Sequence, residues 1–131
     1  IKRIVILNGH HGNMGALQHI AQDLHARLPR GPRVHTIHYW HMMKSEFDHA
    51  GEVETSLVLA IAPELVRMDR AAPNSKKLSK SKAYNTNAPG SFPKITGNGV
   101  WGDPRKATAT KGEKWIQEII AGLAKTIAEL T

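Results

Sequence analysis

A strand, a turn, a helix and a second strand follow one another without interruption at the start of this chain, and that order constrains the fold more than anything downstream. Residues 2 to 8, KRIVILN, contain the apolar run Ile4, Val5, Ile6 and Leu7 ended by Asn-Gly, too short for a helix and suited to a buried strand. From Asn13 the period changes: Met14, Leu17, Ile20, Ala21, Leu24 and Leu28 fall at spacings of three and four, which predicts an amphipathic helix over 13 to 28, stopped by Pro29, Gly31 and Pro32. VHTIHYW at 34 to 40 alternates as a second strand would. Such a succession implies a parallel pair joined by a right-handed crossover.

Further along, ETSLVLAIAPEL carries Val53, Leu57, Ile61 and Leu65 on one stripe and predicts a helix over 52 to 62. Ile116, Ile119, Ile120, Leu123, Ile127 and Leu130 predict a final helix over 107 to 130 that packs one face on the sheet. Between them, residues 67 to 107 hold Pro73, Pro89, Pro93 and Pro104 with glycines at 90, 97, 99 and 102, a stretch expected to be a functional or interface loop. The 131 residues suffice for one domain with a real core. Ile1 opens almost directly into a strand, which predicts a chain cut from something longer, a processed subunit, or a start that lies upstream.

The absence of cysteine excludes disulfides, thiolate zinc sites and cysteine nucleophiles, and favours a reducing, cytoplasmic setting. No apolar run approaches the roughly 18 to 20 residues of a membrane span, so a soluble protein is expected. The net charge of +7 is concentrated between Arg67 and Lys82, where Asp69 is the single acid. Without accompanying aromatics, KKLSKSK at 76 to 82 reads as a solvated loop; the weaker alternative, a phosphate-binding surface for nucleic acid, predicts affinity that falls steeply with salt.

Ligands of parallel α/β sheets gather beyond the carboxyl ends of the strands, where NGHHGN, residues 8 to 13, is placed. Gly9 and Gly12 let His10 and His11 project outward, and a neutral imidazole is a common ligand of divalent metals. The plainer alternative makes Asn13 a helix cap and both histidines surface residues. A second turn, DHAGEVETS at 48 to 56, sets His49 and Glu52 at the start of a helix, so that carboxylate and imidazole from two turns could share a metal. Glu54 is read as serving the helix N-terminus. In GVWGDPRKATATKGE, 99 to 113, Asp103-Pro104 reads as a turn and Lys111 and Glu113 as exposed helix residues, while Trp101 suits a pocket or the core equally. The Tyr39-Trp40 pair, at the carboxyl end of the second strand, is placed for a pocket on the side of His10.

NGHHGN, YW, HAGEVETS and GVWGDPRKATATKGE, in this order and at these separations, resemble the creatininase (creatinine amidohydrolase) family over about residues 2 to 125. The resemblance implies a three-layer α/β/α sandwich with a mostly parallel sheet, of which residues 1 to 131 are the carboxyl-terminal part. It implies a metal-dependent amidohydrolase with two divalent ions, zinc or manganese with iron as a further option, bridged by a water or hydroxide that attacks an amide carbon. Carried over by position, His10 resembles a ligand of one ion and Glu52 of the second; His49 matches a proton shuttle to the leaving nitrogen and Trp40 a tryptophan that closes over substrate. His11, Tyr39 and Trp101 are the expected substrate contacts. The usual first motif is NGHGGN, so His11 departs from it. In creatininase itself the motif reads NGHYEN and its glutamate binds metal; that place is Gly12 here, and Glu52 supplies the carboxylate instead. The family's other ligands, a Glu-x-His pair and a bridging Asp, have no counterpart in this sequence. A companion chain or an amino-terminal half is therefore expected to complete the site, within a homo- or hetero-oligomer of hexamer type. The expected target is a non-peptide carbon–nitrogen bond of a small cyclic amide or formamide; the alternative is a non-catalytic binding or assembly subunit of the same fold.

Overall fold

The structure is a computed structural model describing residues 1 to 76 and 91 to 130. Most of the expected basic loop at 76 to 82 therefore lies outside the described residues. Two compact units divide the chain, Ile1–Lys44 with Glu118–Thr131, and Ser45–Gln117.

In the first unit, β1 (Arg3–Asn8) and β2 (Arg33–His38) flank helix α1 (Met14–Arg27). The strands pair in parallel, in a register running from Arg3 opposite Arg33 to Asn8 opposite His38. This is the expected β-α-β unit, and its register sets Asn8 and His38 level at the carboxyl ends. Tyr39 and Trp40 are not strand residues: the chain tightens there into a 3-10 turn over Tyr39–Met42. The buried side chains include Ile37, Trp40 and Met43. The apolar stripe of α1 forms as expected, yet no residue of that helix is buried. Two strands are too narrow to cover it, and Ile4, Val5 and Leu7 of β1 stay 39, 41 and 54% exposed. Parallel sheets are ordinarily covered on both faces. The last helix, α4 (Ala109–Glu129), contributes residues from 118 onward to this unit. It meets Met42, whose Cβ would be only 2.9 Å from a Cβ added at Gly122, and Glu118 accepts a hydrogen bond from the Lys44 N–H.

The second unit contains helix α2 (Glu52–Ile61), the short helix α3 (Ser91–Thr96) and the start of α4. Asp48 begins α2: its carboxylate accepts from the backbone N–H of Val53 (2.9 Å) and of Glu54 (3.3 Å). Glu54 reaches back to the Ala50 N–H at 2.6 Å, a capping arrangement that matches its expected role. Ala50 takes φ 49°, a left-handed angle that the turn before the helix imposes. Ser56, fully buried, donates to the Glu52 carbonyl and accepts from the Thr108 N–H, tying α2 to the start of α4. Gly112 passes against the Ser56 carbonyl, where an added Cβ would have no room.

Candidate active site

Asn8, 3% exposed, organises the turn of the first unit. Its Oδ1 accepts from the His10 N–H at 3.0 Å and from Asn13 Nδ2 at 3.4 Å. Its Nδ2 donates to the His10 carbonyl at 2.9 Å and lies 2.9 Å from His38 Nδ1. Asn13 does not cap α1 with its side chain, as the plainer sequence reading had it; the side chain turns back to Asn8 instead. Both His10 and His11 are exposed, and the ring of His10 lies over Gly12, where a Cβ would come within 2.6 Å of His10 Nε2. His11 stands 5.7 Å from buried Trp40, and His38 stacks on the same indole at 5.0 Å and 18°. Tyr39 packs edge-on against Trp40. Burial, and then the neighbouring charges of His41 and His11, lower the pKa of His38.

In the second unit, His49 and Trp101 form an isolated antiparallel bridge through the bonds His49 N–H to Trp101 O (3.0 Å) and Trp101 N–H to His49 O (2.7 Å). His49 Nδ1 lies 3.0 Å from the Gly99 carbonyl. A carbonyl only accepts, so Nδ1 carries the proton and Nε2 is the nitrogen left for chemistry. The Gly99 loop is itself braced: buried Thr96 Oγ1 accepts from the Gly99 N–H at 2.9 Å. Phe92 meets the His49 ring at 4.6 Å and stacks at 6.4 Å on Trp101, which is exposed rather than in the core.

Glu52 accepts at Oε1 from Lys111 Nζ, 2.7 Å away. Lys111 is thus a half-buried partner of Glu52, not the exposed helix residue expected; its ammonium also donates to the Lys106 carbonyl, which fixes it where α4 begins. Downstream, Asp103 accepts from both the backbone and the side chain of Arg105, and that guanidinium lowers its carboxyl to about 2. The 67 to 107 stretch contributes Arg67, Arg70 and Asn98 to an open cavity of about 400 Å³, which none of the expected site residues lines.

The sequence-predicted residues fall into two sets: His10, His11, Tyr39 and Trp40 in the first unit, His49, Glu52 and Trp101 in the second. Each set is held by its own hydrogen bonds. His38, Lys111, Asp48 and Phe92 were missed, because each acts through a partner 5 to 59 residues away in sequence. As a donor set for divalent metal, the described residues contain no cluster of three His, Asp or Glu side chains. The space above Gly12 does accommodate the His10 imidazole, and Glu52 has a second carboxylate oxygen beyond the one facing Lys111. They are suitable donors, though short of a closed shell.

Comparison with known proteins gives a family context for this geometry. The family model for creatininase, creatinine amidohydrolase, matches residues 1–127. Among curated proteins, the mycofactocin precursor peptide peptidase of Mycobacterium ulcerans (strain Agy99) is 32% identical over 136 residues, covering 98% of this chain and 49% of that protein. Its namesake in Mycolicibacterium smegmatis is 30% identical over 130 residues, covering 95% and 48%. The chain spans about half the length of the curated relatives it matches. Among solved structures, a creatinine amidohydrolase (creatininase) superposes with TM-score 0.75 at 26% identity, over 98% of this chain and 56% of that one. A Bacteroides fragilis protein provisionally described as a creatinine amidohydrolase gives TM-score 0.78 at 29% identity, over 96% and 53%.

Proposed function

Because the chain belongs to the creatininase (creatinine amidohydrolase) family, we propose that it supplies the carboxyl part of a metal-dependent amidohydrolase acting on the carbon–nitrogen bond of a small cyclic amide or formamide. In this reading His11, Tyr39, Trp40 and Trp101 are substrate contacts. His10 and Glu52 would hold two divalent ions, with the remaining donors supplied by a companion chain or amino-terminal half. Such ions, zinc or manganese, supply an acidified water and a polarised carbonyl. His49 delivers the proton to the departing nitrogen.

The observation that carries the proposal is the contact of His49 Nδ1 with the Gly99 carbonyl, 3.0 Å away: with Nδ1 engaged there, Nε2 is the ring nitrogen left to take up and release a proton. The companion is supported by the exposed apolar residues of β1 in a sheet of two parallel strands. A metal requirement is supported by relatives of known structure, one named as creatininase Mn and one as a zinc–zinc type of creatininase. A peptide bond is the second substrate reading, favoured by the names of the curated relatives.

The test is to combine the chain with the amino-terminal half of a full-length relative and Zn²⁺ or Mn²⁺, then assay creatinine, formamides and short peptides in parallel. Hydrolysis in the mixture alone is expected, with H49Q lowering turnover about 10²–10⁴-fold. A mixture that binds metal yet hydrolyses none of them favours the non-catalytic assembly subunit. Anomalous scattering that finds no ion within bonding distance of His10 or Glu52 in the mixture overturns the metal assignment.

A further inference from the structure

We propose that His38 is a positioning residue for His10: as a neutral Nε2–H tautomer it offers the Nδ1 lone pair to Asn8, and Asn8 in turn pins the backbone of His10 on both its N–H and its carbonyl. The functional weight of this arrangement rests on the reading of His10 as a metal donor given above; its geometry does not.

The His10 N–H can only donate, so the Asn8 atom 3.0 Å away is the amide oxygen. The His10 carbonyl can only accept, so the Asn8 atom 2.9 Å away is the amide nitrogen. Two fixed partners on one residue settle the amide orientation, which distance alone would leave open to a flip. Nδ2, now known to be a donor, lies 2.9 Å from His38 Nδ1. That nitrogen must therefore accept and carries no proton, which places the ring proton on Nε2. The parallel register that sets Asn8 opposite His38 brings the two side chains together from strands 30 residues apart. Stacking on Trp40 at 5.0 Å holds the imidazole plane. Burial and the adjacent His41 and His11 disfavour the imidazolium, consistent with a ring that must keep a free lone pair.

The consequence is a chain of fixed orientations, from Trp40 to His38, to Asn8 and to the His10 backbone, ending in an imidazole laid over Gly12. Asparagine at position 38 can present its side-chain oxygen near the place of Nδ1, whereas leucine of similar bulk cannot accept at all.

The experiment uses the labelled full chain at pH 7.5 and needs no metal. Long-range ¹H–¹⁵N correlation spectra are expected to show the Nε2–H tautomer for His38; an Nδ1–H tautomer or an imidazolium there overturns the proposal, whatever the variants do. In His38→Leu, exchange of the His10 amide is expected to accelerate at least about tenfold, while the Trp101 amide, bonded to His49, keeps its protection. His38→Asn is expected to restore the His10 protection. Equal protection in wild type and H38L, or equal loss in H38N and H38L, refutes the positioning role. Neither readout involves a cation, so a His10 that never binds metal leaves both intact and fails only in the scattering experiment above.

Discussion

At the scale of single residues, Gly12 decides where the His10 imidazole can lie. A Cβ at position 12 would sit 2.6 Å from Nε2, and the ring, being a side-chain end, is what would yield. Gly12→Ala is therefore expected to leave folding stability within about 1 kcal/mol while shifting the His10 ring resonances and weakening metal binding by the assembled enzyme, measurable by NMR and by metal titration. Asp103 gives a pH prediction. Its pKa is lowered to about 2 by Arg105, so the folded state binds fewer protons there than the unfolded chain. The contribution is present above the ordinary carboxyl value, is lost as pH falls toward about 2, and is small because the Arg105 guanidinium is largely open to solvent. A carboxyl-carbon titration should find that midpoint, and Arg105→Ala should return it toward the usual range of about 3.9. The projecting histidines of NGHHGN were legible in the sequence because glycines and asparagines mark a turn. The tie between Asn8 and His38 was not, since nothing in either strand states the register that makes them neighbours.

Elements were more legible than their contacts. Periodicity placed α1, α2 and α4 within two residues of their observed ends, because apolar stripes at spacings of three and four survive in any packing. It did not show that Ser56 would be the buried joint between α2 and the start of α4, since serine on an apolar helix reads as noise in a stripe. Ser56→Ala removes the acceptor for the Thr108 N–H and is expected to cost about 1–3 kcal/mol, read from urea unfolding with an unchanged m-value. Lys111 shows the same limit: its spacing is that of a surface lysine, and its partner Glu52 is 59 residues away. The strand boundary at His38 was missed for a different reason. Aromatic residues favour strands, but here Tyr39 and Trp40 serve a tight turn that buries the indole against His38.

For the whole molecule, the α/β class was legible from the order of elements alone, whereas the degree of burial was not. Hydrophobic stripes say which face seeks cover, not whether the covering partner is in the same chain, and Ile20 and Leu24 of α1 and Leu28 just past its end remain exposed alongside the apolar residues of β1. The chain alone is expected to bind a hydrophobic dye such as ANS and to lose that binding when the amino-terminal half of a relative is added; dye binding that persists in a stable complex would place the companion elsewhere. Among the described residues no helix is long and apolar enough to cross a membrane. The register has one more implication. Arg3 and Arg33 lie side by side where the strands begin, next to exposed Lys2, so the bare apolar strand is introduced by three like charges. Gatekeepers of this sign repel a second identical edge and welcome an acidic one. Neutralising them, as in a triple glutamine variant, should turn a dispersed protein into one that forms amyloid-like aggregates detectable by thioflavin fluorescence.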